Sequence, residues 1–188
     1  MRGLRITGGQ LKGRLLVSPR GLGIRPTSDQ VREAIFNIIG QDLHGVKVLD
    51  LFAGTGILGI ETLSRGASSV VFIDISPQSI KLIRKNLALC EHQDCGVILR
   101  RDLRKGIRRI HILSKQVFDL VFLDPPYGKN FIPLMLSGLS TMDILSKRSR
   151  VVVESSKTEK LPVYPESLEM VDARSYGDTK ISVYAYEA

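Results

Sequence analysis

The sequence predicts an α/β domain whose chain ends in an antiparallel hairpin. From Val46 onward, short apolar runs alternate with helix-length stretches, a pattern typical of a parallel sheet covered on both faces. The final segment departs from this pattern, because two strand-like stretches flank Gly177-Asp178 in an arrangement that favours a tight turn. A mostly parallel sheet with a hairpin at its end is therefore the expected fold.

Composition and length favour one folded domain in a reducing compartment. The 188 residues are 43% hydrophobic and 24% charged, as in an ordinary globular protein. No window approaches the roughly 18 apolar residues of a membrane span, and the first residues lack a signal peptide's apolar stretch. Cys90 and Cys95, with His92 between them, are too few for a disulfide framework or a four-ligand zinc site. We expect a cytoplasmic protein with no metal and no membrane contact.

The charge balance favours a polyanionic partner. Twenty-seven Lys and Arg residues against nineteen Asp and Glu residues give a formal net charge of +8. The first 25 residues contain no acid and six basic residues, Arg2, Arg5, Lys12, Arg14, Arg20 and Arg25. A second group surrounds Asp102 and comprises Arg100, Arg101, Arg104, Lys105, Arg108 and Arg109. Because a basic surface also serves solubility, charge favours nucleic acid without identifying it.

Residues 1–42 are expected to form an extension on a main domain that spans residues 43–188. Two short strands are predicted around Gly8-Gly9 and Gly13. A helix follows, because Thr27 and Gln30 have the spacing of a capping box and apolar residues recur behind them at helical intervals. Those apolar residues are Val31, Ala34, Ile35, Ile38 and Ile39, and Gly40 is the predicted stop.

The main domain alternates predicted strands and helices. The strands are residues 46–52, 70–73, 97–99, 117–123 and 150–154. The helices are residues 57–65 and 77–90, with less regular helical stretches near 102–112 and 130–145. The closing hairpin pairs residues 168–176 with 180–186. In such a sheet, ligands bind in the loops at the carboxyl ends of the parallel strands.

A glycine-rich loop follows the first of these strands. Gly54, Gly56 and Gly59 fit the G-x-G-x-x-G pattern, and glycine lets the backbone approach a ligand closely. Asp74 stands at the end of the next strand, where its carboxylate can accept hydrogen bonds from both hydroxyls of a ribose. These residues predict a site for a ribose-bearing cofactor.

Two further acids bear on the choice of cofactor. Asp50, at the carboxyl end of the first strand, suits the cationic methionine end of S-adenosylmethionine better than it suits a pyrophosphate. Asp102, after the third strand, can reach an adenine amino group. The glycines alone do not separate S-adenosylmethionine from a dinucleotide.

A second motif, Asp124-Pro125-Pro126-Tyr127, directly follows the predicted strand 117–123. Its position at a carboxyl end predicts that it borders the ligand crevice. The prolines fix the backbone and lack N–H donors, so their carbonyls can act as acceptors beside the Asp124 carboxylate. Tyr127 adds an aromatic face. Acceptors beneath a ring fit the amino group of a planar base, or an amide.

Such an amino nitrogen is a poor nucleophile, because its lone pair is delocalised into the ring or carbonyl. Hydrogen bonds from both N–H groups to fixed acceptors localise the lone pair and stabilise the positive charge that develops during attack. Tyr127 would stack on the target and align its nitrogen with the methyl carbon and the departing sulfur. Asp124 is also a candidate proton acceptor. The motif therefore indicates methyl transfer to nitrogen.

Several stretches of the sequence carry a family resemblance. They are Arg5-Ile6-Thr7-Gly8-Gly9-Gln10-Leu11-Lys12-Gly13-Arg14, Arg25-Pro26-Thr27-Ser28-Asp29-Gln30-Val31-Arg32-Glu33, Val48-Leu49-Asp50-Leu51-Phe52-Ala53-Gly54-Thr55-Gly56, Gly59-Ile60-Glu61-Thr62-Leu63-Ser64-Arg65-Gly66-Ala67, Asp124-Pro125-Pro126-Tyr127 and Tyr176-Gly177-Asp178-Thr179. They resemble the RsmD family of class I S-adenosylmethionine-dependent methyltransferases, which methylate guanine N2 in bacterial small-subunit ribosomal RNA. The resemblance implies a Rossmann-like sheet of seven strands, with the last antiparallel, and S-adenosylhomocysteine as product.

The resemblance also implies roles for individual residues. Those expected to bind the cofactor are Thr27, Asp50, Phe52, Ala53, Gly54, Thr55, Gly56, Asp74, Ile75, Asp102 and Leu103. Those expected to receive the guanine are Asp124, Pro125, Pro126 and Tyr127. Those expected to contact RNA are Arg2, Arg5, Lys12, Arg14 and Arg25. The expected partner is ribosomal RNA, free or in an assembling small subunit, and the protein is expected to be a monomer.

Other functions are compatible with parts of this pattern. Adenine-N6 methyltransferases and protein glutamine-amide methyltransferases use closely similar acceptor loops. A nicotinamide-dependent oxidoreductase accounts for the glycines and Asp74 but gives the double proline no role. A non-enzymatic RNA-binding or assembly factor would bind the cofactor without turnover.

Overall fold

The strands and helices follow the alternation predicted from the sequence. The computed structural model describes residues 4–18, 27–161 and 167–187. Its α-helices are α1 (Asp29–Ile39), α2 (Ile57–Ser64), α3 (Pro77–Leu89) and α4 (Phe131–Leu139). Its strands are β1 (Lys47–Leu51), β2 (Ser69–Asp74), β3 (Gly96–Arg100), β4 (Phe118–Leu123), β5 (Leu145–Ser156), β6 (Leu168–Tyr176) and β7 (Thr179–Tyr186). The seven strands belong to a mostly parallel sheet that ends in an antiparallel hairpin, which confirms the predicted fold class.

The chain divides into two compact units, of which the first is Met1–Arg100. In this unit β1 and β3 both pair with β2 in parallel register. All of α2 is buried, and Gly59 lets it lie close to the sheet. A Cβ added at Gly59 would lie 2.3 Å from a ring carbon of Phe72 on β2. The third glycine of the G-x-G-x-x-G motif therefore serves helix–strand packing.

The second unit is Arg101–Ala188. Here β4 and β5 are parallel, β5 pairs with β7 in antiparallel register, and β7 pairs with β6. Strand β5 begins at Leu145, earlier than predicted. The helix before it, α4, is shorter than the predicted helical stretch 130–145. The early part of β5 carries a bulge opposite β4, where Arg148 takes a φ of 64°. Such a local irregularity leaves no clear signal in the sequence.

Helix α1 begins one residue later than its predicted capping box implies. Ser28 is the N-cap in place of Thr27, since its hydroxyl accepts a hydrogen bond from the Val31 N–H at 3.3 Å. The carbonyl of Thr27 instead accepts from the Arg32 guanidinium at 2.6 Å. Gly40 ends the helix as predicted, with a φ of 105°.

Two predicted elements are less regular than expected. Instead of two N-terminal strands, residues 4–18 contain a single antiparallel bridge between Arg5 and Leu15. The helix predicted near 102–112 is a series of short 3-10 turns, because Gly106 adopts a φ of 79° that a right-handed helix excludes. No helix in the described ranges is long and apolar enough to cross a membrane.

Candidate active site

The glycine-rich loop of the first unit connects β1 to α2. Phe52, Gly54 and Gly56 have φ values of 61°, 56° and 77°, so the loop turns sharply. The N–H of Ala53 donates to the carbonyl of Ile73 at 3.1 Å, which ties the loop to the end of β2. Phe52 adopts a conformation that non-glycine residues rarely take, and such strain is frequent at ligand-binding loops.

Asp74 holds this loop from the end of β2. Its Oδ2 accepts a hydrogen bond from the Gly54 N–H at 2.9 Å, and its Oδ1 accepts from the Ser76 N–H at 2.7 Å. Each carboxylate oxygen has acceptor capacity beyond one such bond. Asp74 is half-buried, so part of the residue is accessible. This geometry fits the predicted contact with two ribose hydroxyls.

Asp50 lies in β1 and is 1% exposed. Its Oδ2 accepts from the N–H of Gly59 at 3.1 Å, in the first turn of α2. Gly56, the N-cap of α2, has no side chain that could accept a hydrogen bond from this turn. Asp50 therefore caps the helix from β1. Burial raises the pKa of Asp50 to about 7, the Gly59 N–H lowers it, and Asp74 raises it. A positive charge close to this carboxyl group would favour its ionised form.

Asn86 on α3 connects the glycine-rich loop to residues 4–18, here called the N-terminal segment. Its Nδ2 donates to the carbonyls of Thr55 at 3.0 Å and Val17 at 3.2 Å, and its Oδ1 accepts from the Val17 N–H at 2.8 Å. Asn86 is fully buried. No role was predicted for Asn86, although an amide among the apolar positions of α3 is a signal of such a function.

A buried ion-pair network was also missed. Glu61 on α2 pairs with Arg32 Nε at 3.2 Å and with Arg65, and all three side chains are at most 2% exposed. Glu61 Oε1, the oxygen that pairs with Arg32, also accepts from the Thr7 N–H at 2.7 Å. Arg32 also donates to the Arg5 carbonyl at 2.6 Å. The network fastens the N-terminal segment and α1 to α2.

The Gly8-Gly9 pair lies against the end of α2. The carbonyl of Ser64 accepts from the Gln10 N–H at 2.7 Å, and the Ser64 hydroxyl donates to the Gly8 carbonyl at 2.7 Å. Gly9 has a φ of 75°, and a Cβ there would lie 1.9 Å from the Ser64 carbonyl oxygen. Only glycine permits this approach.

The predicted RNA-binding residues that the structure describes lie at the surface of the first unit. Arg5, Lys12 and Arg14 are exposed. Arg5 pairs with Asp29 at 3.3 Å, and Arg14 donates to the Leu89 carbonyl at 2.6 Å, at the end of α3. Two further candidates, Arg2 and Arg25, lie outside the described residues. The N-terminal segment thus presents cationic groups around a well-anchored backbone.

In the second unit, the Asp124-Pro125-Pro126-Tyr127 loop follows β4 directly. Asp124 is half-buried and Pro125 is buried, whereas Pro126 and Tyr127 are exposed. Leu123 pairs with Val153 in the parallel register, so Asp124 and Glu154 follow paired residues on adjacent strands. An exposed aromatic ring on the same loop as a half-buried carboxylate suits a stacked and hydrogen-bonded base.

The Tyr127 hydroxyl contacts two other strands of this unit. It donates to Glu154 Oε1 at 3.1 Å and lies 3.4 Å from Thr179 Oγ1. Burial raises the pKa of Tyr127, the Thr179 contact lowers it, and the Glu154 charge raises it. Glu154 and Thr179 had no role in the sequence analysis, since only the register of β5 and β7 brings them to this ring.

The remaining predicted cofactor residues differ in accessibility. Ile75 is 46% exposed, which leaves it open to a ligand, whereas Leu103 is buried at 3% exposure. Both Asp102 oxygens accept from Arg104, and this side-chain contact lowers the pKa of Asp102. Over residues 4–18, 27–161 and 167–187, no cluster of three or more His, Cys, Asp or Glu residues is placed to hold a metal ion.

Comparison with known proteins gives matches along almost the whole chain. A family model described as conserved hypothetical protein 95 matches residues 4–185. Bacillus subtilis YlbH, provisionally named as an rRNA methyltransferase, is 35% identical over 183 residues, which cover 96% of this chain and 98% of that protein. Ribosomal RNA small subunit methyltransferase D of Haemophilus influenzae is 32% identical over 186 residues, covering 96% and 93%. The solved structure of Escherichia coli yhhF has a TM-score of 0.82 at 29% identity, covering 98% of each chain.

Proposed function

The chain belongs to the family described as conserved hypothetical protein 95, the RsmD family, and we propose that it transfers a methyl group from S-adenosylmethionine to the N2 amino group of a guanine in small-subunit ribosomal RNA. The names of the relatives support methyl transfer to ribosomal RNA. The choice of an amino group as target rests on one observation, the Asp124-Pro125-Pro126-Tyr127 loop at the end of β4.

The first unit supports S-adenosylmethionine as the cofactor. The glycine-rich loop turns with positive φ at Gly54 and Gly56, a backbone conformation that glycine adopts without strain. Asp74 would receive the ribose hydroxyls with its remaining acceptor capacity, while continuing to hold Gly54. Asp50 would favour the cationic methionine end, because a nearby positive charge stabilises its ionised form. When bound, the cofactor supplies an electrophilic methyl group on a sulfonium.

The second unit supports an amino group on a planar ring as the acceptor of the methyl group. The Asp124 carboxylate and the carbonyls of the proline pair would accept hydrogen bonds from both amino hydrogens. These bonds strengthen as nitrogen becomes positive, and they therefore stabilise the transition state more than the ground state. The Tyr127 ring would stack on the base and orient it.

The cationic N-terminal segment supports a nucleic-acid substrate. Lys12 and Arg14 are exposed, and the backbone that carries them is fixed by hydrogen bonds to α2 and α3. Contacts between these cationic side chains and phosphates would position a nucleic acid without reading its sequence. The choice of guanine would then lie with the loop that follows β4.

The experiment that tests this function is transfer of a radiolabelled methyl group into small-subunit ribosomal RNA and into partly assembled small subunits. Digested nucleosides are identified by mass, and large-subunit ribosomal RNA is the control substrate. We expect label in N2-methylguanosine of small-subunit RNA only. Label in N6-methyladenosine would contradict the target base, and label in a protein glutamine alone would contradict the RNA substrate.

A further inference from the structure

Tyr127 is held by two side chains to which the proposed reaction gives no direct part. Its hydroxyl donates to Glu154 Oε1 at 3.1 Å, near the end of β5, and lies 3.4 Å from Thr179 Oγ1, at the start of β7. Since the phenol gives its one proton to Glu154, the Thr179 hydroxyl is the donor in the second contact. The phenol oxygen therefore has one acceptor and one donor as partners, which restrict the ring in two directions.

The two ends of this arrangement differ in burial. Glu154 is 9% exposed, whereas Tyr127 is 44% exposed, so the hydroxyl end of the tyrosine is anchored while the ring remains accessible. Glu154 is fixed relative to the Asp124-Pro125-Pro126-Tyr127 loop, because Leu123 and Val153 are paired directly before Asp124 and Glu154. Thr179 is added by β7, whose Ile181 pairs with Glu154.

We propose that Glu154 and Thr179 are positioning residues that set the plane of the Tyr127 ring for the incoming base. This inference rests on the proposed function, since the plane of the ring matters to the reaction only if a planar group stacks on it. Small errors in alignment at a reacting centre cost large factors in rate. The predicted consequence is a loss of RNA methylation without a loss of cofactor binding.

A double-mutant cycle on the full-length protein tests the proposal. Tyr127→Phe and Glu154→Ala should each lower kcat/KM for RNA methylation about tenfold, and S-adenosylmethionine affinity should stay unchanged. The double variant should be no worse than either single one, and Glu154→Gln, which keeps an acceptor, should recover most of the activity. Thr179→Val should have a smaller effect, about threefold. Losses that multiply in the double variant would overturn the proposal.

A control variant and a titration of Tyr127 complete the test of this proposal. Glu169→Ala, an exposed change on β6, is the matched control and should leave kcat/KM unchanged. An ultraviolet titration of the phenols, with the Tyr127→Phe curve subtracted, reports Tyr127 alone. Because the Glu154 charge raises the pKa of Tyr127, Glu154→Gln should lower it. An unchanged curve would overturn the contact. This titration needs no RNA, so its failure is distinct from failure of the proposed function, which would appear as absence of methyl transfer by the wild type.

Discussion

The N–H of Gly54 donates to the carboxylate of Asp74 at 2.9 Å, so two residues predicted to bind the same cofactor also hold each other. The position of the glycine-rich loop therefore depends on the carboxylate proposed to bind the ribose. The same carboxylate raises the pKa of Asp50, after the larger effect of burial. Asp50 and Asp74 are thus electrostatically coupled, and a cation bound beside Asp50 would favour its ionised form.

Replacing Asp50 with asparagine should separate its capping role from its proposed cofactor role. Asparagine keeps an acceptor for the Gly59 N–H and removes the buried charge. The folded pKa of about 7 lies above the ordinary value near 3.9, so the wild type loses stability as pH rises from about 4 to about 7, and the variant should not. At pH 8 we expect Asp50→Asn to raise the urea midpoint and to weaken S-adenosylmethionine binding about tenfold by calorimetry.

The exposed change Asp94→Asn is the control for this variant and should alter neither property. If Asp50→Asn bound the cofactor as tightly as the wild type, capping α2 would be the whole role of Asp50.

Gly9 and Gly13 form a matched pair for testing how the N-terminal segment is anchored. Both have positive φ, at 75° and 86°, but a Cβ would meet the Ser64 carbonyl oxygen only at Gly9. Gly13→Ala should therefore cost about 1 kcal/mol of unfolding free energy from backbone strain alone. Gly9→Ala adds a backbone clash and should cost roughly 3 kcal/mol. Urea unfolding measures both, and equal losses would mean that the segment does not lie against α2.

The salt dependence of RNA binding tests the cationic N-terminal segment. Lys12→Ala should weaken binding at low salt and reduce the slope of log K against log salt by about 0.7 to 0.9, the effect of one lost phosphate contact. Lys115→Ala is the matched control, because Lys115 is exposed and lies just before β4, whereas the Asp124-Pro125-Pro126-Tyr127 loop follows the other end of that strand. Fluorescence anisotropy on small-subunit RNA fragments gives both slopes. Equal slopes in the two variants would contradict a contact between Lys12 and an RNA phosphate.

Local patterns in the sequence predicted most of the fold. Apolar runs located every strand of the sheet, and the Gly177-Asp178 turn located the hairpin. The errors fell where backbone geometry was decided by single residues. Gly106 breaks a stretch that reads as helical, and Ser28 rather than Thr27 caps α1. Spacing alone does not show which of two adjacent capping residues faces the helix.

The site could be predicted only as far as its motifs extend. The glycine-rich loop and the loop after β4 are each a continuous stretch of sequence, and in the structure each follows the strand from which it was predicted to extend. Contacts made by register were not predictable, since Glu154 lies 27 residues from Tyr127 and Glu61 lies 29 residues from Arg32. A buried charge is visible in sequence only as a charged residue in an apolar stretch, and its partner is not marked.

The most direct test of the central claim is a pair of measurements on Asp124→Ala, namely single-turnover methyl transfer to small-subunit ribosomal RNA and S-adenosylmethionine affinity. Asp143→Ala, an exposed change in the same unit, is the control and should behave as the wild type. Because Asp124 is proposed to stabilise charge in the transition state, transfer should fall by a factor of about 10² to 10³ while cofactor affinity changes less than about twofold. Near-wild-type transfer by Asp124→Ala would contradict the assignment of this loop as the catalytic site.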